Sequence, residues 1–469
     1  MKSVLLGAVL LFSAATVSAQ KEQPLPKDLP PFGPEKPLQA PTVKESKLDN
    51  GLTVWLVSQP GFPKVSFSIA VAGGYTADPK DLPGLADLIA ATIDQGTKSR
   101  NARQVAEALQ AAGGDLSANA GKEGFYVTSS VLSSKSADGL SVLADVLQNA
   151  AFPDNEVALA KRNLASTLEA QEANPQFLAS RAMAKVLYGD SPYSVISATK
   201  ESLAAMTPAN LRSEYARRFR PDRALVVVVG DFSADKMLAT IKEKFDAWRA
   251  PTEAAGSVTP PPNAGPEHAI FFISRPDSVQ TTLSLAAFGP KRTDADYEAA
   301  VVANTIYGGS FGSRLTSNIR EDKGYTYTPG SSFSASRVTG TIHTSADVRN
   351  AVTGPALNEI FYELNRLATT APTDRELSQA KRFLIGIKAI QLQIHSAVAS
   401  ELSNLWIQHL PASEIGDYGK RISAVTAADV TSVGQKYFPA ARVAIVAVGQ
   451  ENVVRGQLAL FGLPIKPAP

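Results

Sequence analysis

A repeat constrains this chain more than any other feature. Thr207 opens a helix-like stretch that runs to Phe219, and eleven residues later an apolar strand ends at Gly230. Thr426, Phe438 and Gly449 repeat that punctuation, each 219 positions further on. Thr207-Pro208 supplies a helix cap and a proline in the first helical position. A fourth landmark lies close to the same period: the strand-like runs 65–72 and 281–288 end at Gly73 and Gly289, 216 apart. Self-similarity at one long period means one folding unit used twice. A chain of 469 residues has room for two such α+β units of about 200 residues each, and each is long enough for its own core. Between the copies lies APTEAAGSVTPPPNAGP (250–266), with Pro251, Pro260, Pro261, Pro262 and Pro266, which reads as a linker.

The local pattern fills in each unit. Asn50-Gly51 makes a tight turn into a strand at 53–57. The strand 65–72 leads into GLADLIAATIDQGT (84–97), where Leu85, Leu88, Ile89 and Ile93 recur at helical spacing. An amphipathic helix over 99–112 closes at Gly113-Gly114, and Phe125, Val127, Ser129 and Val131 alternate as a strand. Helices are expected over 155–172 and 176–187, and a continuous apolar strand over 225–229. In the second copy a long helical run, 373–410, begins with the capping box Thr373/Glu376 and is interrupted at Gly386. Its apolar residues Leu377, Phe383, Leu384, Ile387, Ile394, Val398, Leu402, Leu405 and Trp406 are expected in the core. His395 and His409 are expected on its polar face.

The ends and the charge narrow the function classes. Lys2, the apolar run 5–12 and Val17-Ser18-Ala19 read as a secretory signal over 1–19, cleaved after Ala19, which implies a periplasmic protein. That run is too short to serve as a membrane anchor. Residues 20–44 are a Pro-rich extended arm. The two units then span 45–249 and 267–460. A net charge of +2 gives no electrostatic footprint for nucleic acid or an acidic membrane. There is no Cys, so disulfides and thiol chemistry are excluded, and no G-x-S-x-G elbow supports a serine hydrolase.

Two motifs resemble one family. In the pitrilysin/insulinase zinc peptidases, which include mitochondrial processing peptidase, the first helix reads G-L-A-H-x-x-E-H-x-x-x-x-G-T. Gly84, Leu85, Ala86, Gly96 and Thr97 match that frame. The two His positions fall on Asp87 and Ala91, the Glu position on Ala90, and the third ligand of the family on Thr167. Glu169 and Glu172 are nearby, but helical pitch turns Glu169 away from the face of Thr167. Zinc wants about four N, S or O ligands in a tetrahedron, and these four positions cannot provide them. The remaining histidines form no ligand set: of His268, His343, His395 and His409, only His343 has a carboxylate four residues on, Asp347, in a strand-like stretch. The second motif, GGSFGSRLTSNIREDKGYTY (308–327), is similar to the family's C-terminal signature and is intact.

The resemblance implies an α+β fold of two homologous α/β-sandwich lobes, each a mixed sheet with helices packed on one face, in a clamshell. It implies that Arg320 and Tyr327 reach a peptide carbonyl at a zinc site, where a guanidinium and a phenol can hold a developing oxyanion. It assigns Gly308, Gly309, Ser310, Phe311 and Gly312 to peptide binding, since small side chains allow close backbone approach. Read alone, Arg320 is equally a helix-end cation and Tyr327 a strand aromatic. Together the motifs imply a non-catalytic subunit of a heterodimeric zinc metallopeptidase. It would bind no metal itself and would pair with a zinc-bearing paralogue, lending Arg320 and Tyr327 to that partner's site. The alternative is a catalytically silent, peptide-binding homodimer or scaffold of the cell envelope.

Overall fold

The computed structural model describes residues 38–252 and 265–469. The expected signal, most of the Pro-rich arm and most of the linker lie outside the described residues. The repeat landmarks have physical causes. Thr207 accepts a hydrogen bond from the Asn210 amide (3.2 Å) and opens the helix Pro208–Arg218. Thr426 does the same with the Asp429 amide (3.1 Å) for the helix Ala427–Tyr437. Phe219 and Phe438 are buried where those helices end. Gly230 and Gly449 end their strands because a neighbour approaches too closely for a side chain. A Cβ on Gly230 would lie 2.2 Å from the Lys64 carbonyl oxygen, and one on Gly449 2.7 Å from Thr281 Oγ1.

Each half builds a six-stranded sheet. The first contains β1 (Lys44–Lys47), β2 (Thr53–Ser58), β3 (Lys64–Ala72), β4 (Leu116–Ala120), β5 (Gly124–Leu132) and β6 (Ala224–Gly230), in the order β1-β2-β6-β3-β5-β4. The second contains β7 (Ile270–Ser274), β8 (Gln280–Gly289), β9 (Gly330–Ala335), β10 (Gly340–Arg349), β11 (Ala444–Gly449) and β12 (Ile465–Pro467), in the order β12-β7-β11-β8-β10-β9. β2 pairs with β6 in parallel, as β7 does with β11, and the other shared pairings are antiparallel. The edges differ: β1 joins antiparallel from the start of the described chain, and β12 joins parallel from its end. These are two α/β lobes on mixed sheets.

Each lobe's own helices cover one face of its sheet, and the core there is mostly aliphatic, with buried aromatics such as Phe125 and Phe219 in the first lobe and Tyr307 and Phe438 in the second. The other face is covered by a helix from the opposite half. The helix Pro175–Tyr188 packs on β8 and β11, where Ala182, Met183 and Leu187 meet Ala286, Val446 and Val448. The helix His395–Ile407 packs on β3 and β6, where Val398, Leu402 and Leu405 meet Trp55, Val227 and Val229. Polar pairs pin the exchange: Ser68 Oγ to Ser403 Oγ at 2.8 Å, Tyr188 OH to Thr341 Oγ1 at 2.7 Å, and Gln176 Nε2 donating to Asp347 Oδ2 at 2.6 Å. Cover on both faces explains why β6 and β11 are apolar at every position and buried throughout.

Three expectations need correction. The helix over 84–97 is shorter, Leu85–Thr92, because the chain turns over 93–96 and Gly96 takes a φ of +139°. The run 373–410 is two helices, Asp374–Gln391 and His395–Ile407, bent by 111°. The break falls at 392–394, while Gly386 sits inside the first helix with open space beside it. Phe383, Ile387 and Ile394 are exposed, not core, and Ile390 joins them. Only the other side of that helix, through Leu377, Leu384 and Ile385, meets the lobe core. Nothing in the structure explains the apolar character of the exposed side.

Candidate active-site regions of the two lobes

In the first lobe, the helix Leu85–Thr92 packs against the edge strand β4 and the helix Asp154–Glu172. Its N-terminus is held by a buried carboxylate. Asp78 accepts from the amides of Gly84 (2.9 Å) and Ala86 (3.2 Å) and from Arg218 Nη1 (2.9 Å). The Asp78 and Arg218 side chains are 1% and 2% exposed. Arg218 also donates to the carbonyls of Gly73, Gly74 and Ala77 and to Glu214. Burial pushes the Asp78 carboxyl up to about 6 against the pull of Arg218. A negative charge at a helix N-terminus is favourable, so this cluster fixes where the helix starts.

Asp87 lies in the first turn of that helix. Its carboxylate accepts a hydrogen bond from the Tyr75 hydroxyl. Burial raises the Asp87 carboxyl, and the Tyr75 bond works against that rise. Burial, then the Asp87 charge, raises the Tyr75 phenol, so it stays a donor. Ala90 is buried against the lobe core, while Ala91 and Thr167 are exposed. One carboxylate already bonded to a phenol, two methyl groups and one hydroxyl do not fit zinc. Among the described residues no group of three or more His, Cys, Asp or Glu side chains is placed to hold a metal ion. His343 Nε2 pairs with Ser284 Oγ at 2.8 Å, and Asp347 is taken by Thr282 and Gln176. Four strand positions separate His343 from Asp347 by about 13 Å, too far to share a metal.

In the second lobe, the equivalent helix Tyr297–Asn304 runs into a π-helical turn, Thr305–Gly309, and a second π-helical segment follows at Thr316–Asp322. The glycine-rich stretch begins in the first of them, at Gly308-Gly309, and runs on through Gly312. Gly308 is buried, and a Cβ there would lie 2.7 Å from Ser331 Cβ on the edge strand β9. One on Gly309 would lie 2.8 Å from Asn304 Nδ2. Ser310 Oγ donates to the Thr305 carbonyl (3.2 Å). Phe311 and Gly312 face outward. Beneath them, Arg314 makes a two-pronged bond to Glu376 (2.6 and 3.0 Å) that ties the loop to the helix Asp374–Gln391. Burial would raise the Glu376 carboxyl, but Arg314 and the Thr373 backbone hold it down to about 2.

Arg320 leaves the second π-helical segment between two rings. Its guanidinium carbon is 4.7 Å from the centre of the Phe311 ring and 4.6 Å from that of Tyr327. Phe311 is 70% exposed and Tyr327 76%. Gly324, at φ +62°, lets the chain turn out of the π-helical segment toward Tyr327. The structure therefore brings Arg320 and Tyr327 together, with Phe311 also against the cation. Sequence reasoning placed Phe311 with the glycines and missed its contact with Arg320. The contact depends on π-helical winding, for which the apolar pattern carries no signal. A half-buried cation and an exposed tyrosine in contact with it can donate hydrogen bonds to one carbonyl or oxyanion.

Known proteins share this architecture. Residues 53–196 match the profile described as insulinase (peptidase family M16), and residues 205–384 match the peptidase M16 inactive domain. An uncharacterised zinc protease of Mycobacterium leprae is 27% identical, over 82% of this chain and 85% of its own length. One from Bacillus subtilis is 25% identical, over 75% and 85%. The crystal structure of a peptidase M16 inactive domain from Pseudomonas fluorescens superposes with a TM-score of 0.81 at 27% identity, covering 87% of this chain and 98% of that one. A protease from Helicobacter pylori has the same fold, with a TM-score of 0.83 at 17% identity over 88% and 100%. With two M16 profiles covering more than half of its length, the chain belongs to the insulinase family of peptidases, family M16, as a member of the inactive type.

Proposed function

We propose that this chain is the non-catalytic subunit of a two-subunit zinc peptidase. A zinc-bearing paralogue supplies the metal and the general base. This chain supplies peptide-binding surface and lends Arg320 and Tyr327 to the paralogue's site, where they hydrogen-bond the scissile carbonyl as it becomes an oxyanion. The observation that carries this reading is the contact of half-buried Arg320 with exposed Tyr327, in a chain where no group of metal-ligating side chains is found among the described residues. The relatives described as zinc proteases support a peptide-hydrolysing setting. The leader-like residues 1–19 support a periplasmic location, and an N-terminus at Gln20 in material from the periplasmic fraction would test it.

The deciding experiment mixes the purified chain with the zinc-motif paralogue from the same genome and follows peptide cleavage. The chain alone is silent, and the mixture cleaves in a zinc-dependent way. Tyr327→Phe lowers the turnover of the mixture by about 10²–10³, the scale for losing one oxyanion donor, without changing assembly. Unchanged turnover removes Tyr327 from the chemistry. Silence of both the chain and the mixture moves the weight to the peptide-binding scaffold.

A further inference from the structure

We infer that Phe311 is a positioning residue that fixes the guanidinium of Arg320 in a clamp with Tyr327. The effect on turnover rests on the function proposed above; the clamp itself does not. Arg320 leaves a π-helical segment as a half-buried side chain, and an arginine's long stem samples many rotamers unless its head is held. Its ion-pair partner, Glu321, at 3.1 Å, is itself more than half exposed, and an exposed ion pair holds little. Two aromatic rings, centred 4.7 and 4.6 Å from its guanidinium carbon, add two further contacts that restrict the cation.

The position of Phe311 has no other explanation in the fold. Its side chain is 70% exposed and belongs to none of the buried clusters. Its neighbour Gly312 has open space around it, so the loop there is not held by packing. The nearest anchors on either side are Ser310, bonded to Thr305, and the buried Arg314 with its partly exposed partner Glu376. A large apolar side chain held out from a braced loop costs solubility, and here it covers one face of a cation.

Stacking uses the face of the guanidinium and leaves its edge available. Arginine has five N–H donors, and the Nε group faces Glu321. The Nη donors remain for an incoming carbonyl, and the Tyr327 hydroxyl stands on the same clamp. Fixing Arg320 between the rings also fixes the Tyr327 ring relative to it, so both donors arrive in one geometry. Such preorganisation acts on turnover more than on binding.

The test has two readouts on the full chain. Arginine side-chain ¹H–¹⁵N spectra, with Arg320→Lys to assign the signal, report the ring currents on Arg320. Phe311→Leu moves that signal toward the position of an ordinary arginine, and Phe311→Tyr keeps it. An Arg320 signal unmoved by Phe311→Leu overturns the clamp. In the mixture with the zinc paralogue, Phe311→Leu lowers kcat about 3- to 30-fold with KM nearly unchanged, and Phe311→Tyr restores it. A raised KM with unchanged kcat overturns the positioning role and makes Phe311 a substrate contact. If Tyr327→Phe leaves turnover intact while the Arg320 signal still responds to Phe311, the clamp stands and the proposed function falls.

Discussion

The two lobes share one plan and use its equivalent corners in opposite ways. At the first-lobe corner both carboxylates are committed to partners. Asp87 is bonded to Tyr75, and Asp78 to Arg218 and two amides. At the second-lobe corner Arg320 lies against two exposed rings, and its Nε pairs with the exposed Glu321. A carboxylate committed to a buried hydrogen bond must give up that bond before it can bind anything else. A cation held by stacking gives up nothing. The comparison shows how a duplicated fold can close one corner and leave the other accessible: by where the polar groups find their partners, and by π-helical winding in only one of the two.

The strongest way to break the comparison is to restore the first corner. Asp87→His, Ala90→Glu, Ala91→His and Thr167→Glu together return the metal-binding pattern. The variant should take up about one zinc per chain, with a binding free energy on the order of 10 kcal/mol, read by metal analysis after dialysis. Failure to bind would mean that the helices Leu85–Thr92 and Asp154–Glu172 no longer present those positions to one another.

Next comes the pinning of each corner by an arginine–carboxylate pair. Asp78→Asn leaves Arg218 buried beside fewer acceptors and should cost about 3–5 kcal/mol in urea unfolding. Glu376→Gln, in a pair open to solvent on one side, should cost about 1–3 kcal/mol. Equal costs would remove the distinction between a closed corner and an open one. Their pH dependence also differs in sign. Glu376 has a depressed folded value, so its contribution is present above about 4.5 and is lost as pH falls toward about 2. Asp78 has a raised one, so its contribution declines as pH rises from about 4 to about 6. Urea midpoints of the two variants against wild type across pH 3–7 separate these slopes.

The smallest effects lie within the glycine-rich stretch. Gly308→Ala drives a methyl group into Ser331 and should cost about 1–3 kcal/mol. Gly312→Ala meets open space and should stay within about 0.5 kcal/mol. If the two behave alike, the stretch is not divided into a buried, packed part and an exposed one.

How much of this was legible in the sequence depends on how local each cause is. Thr207 and Thr426, Phe219 and Phe438, Gly230 and Gly449 carry their meaning within a few residues, and they marked the duplication. The frame around Asp87 showed what the first corner lacks, but not why an acid stands there. The answer is Tyr75, twelve residues upstream across a turn. The break at Leu392-Gln393-Ile394 contains no Gly or Pro, while Gly386, the visible breaker, lies unbroken inside its helix. The contact of Phe311 with Arg320 rests on π-helical winding, and the helix exchange on packing between residues more than 100 positions apart.

That exchange has a consequence for how the molecule comes apart. The inner face of each sheet is finished by a helix encoded in the other half, so neither half is self-sufficient. Severing the chain between 253 and 264 would leave two fragments, each with one bare apolar sheet face and one stray helix, able to regain their shape only in each other's company. Heating the intact protein should accordingly give a single cooperative melt, because the first half to loosen uncovers the second.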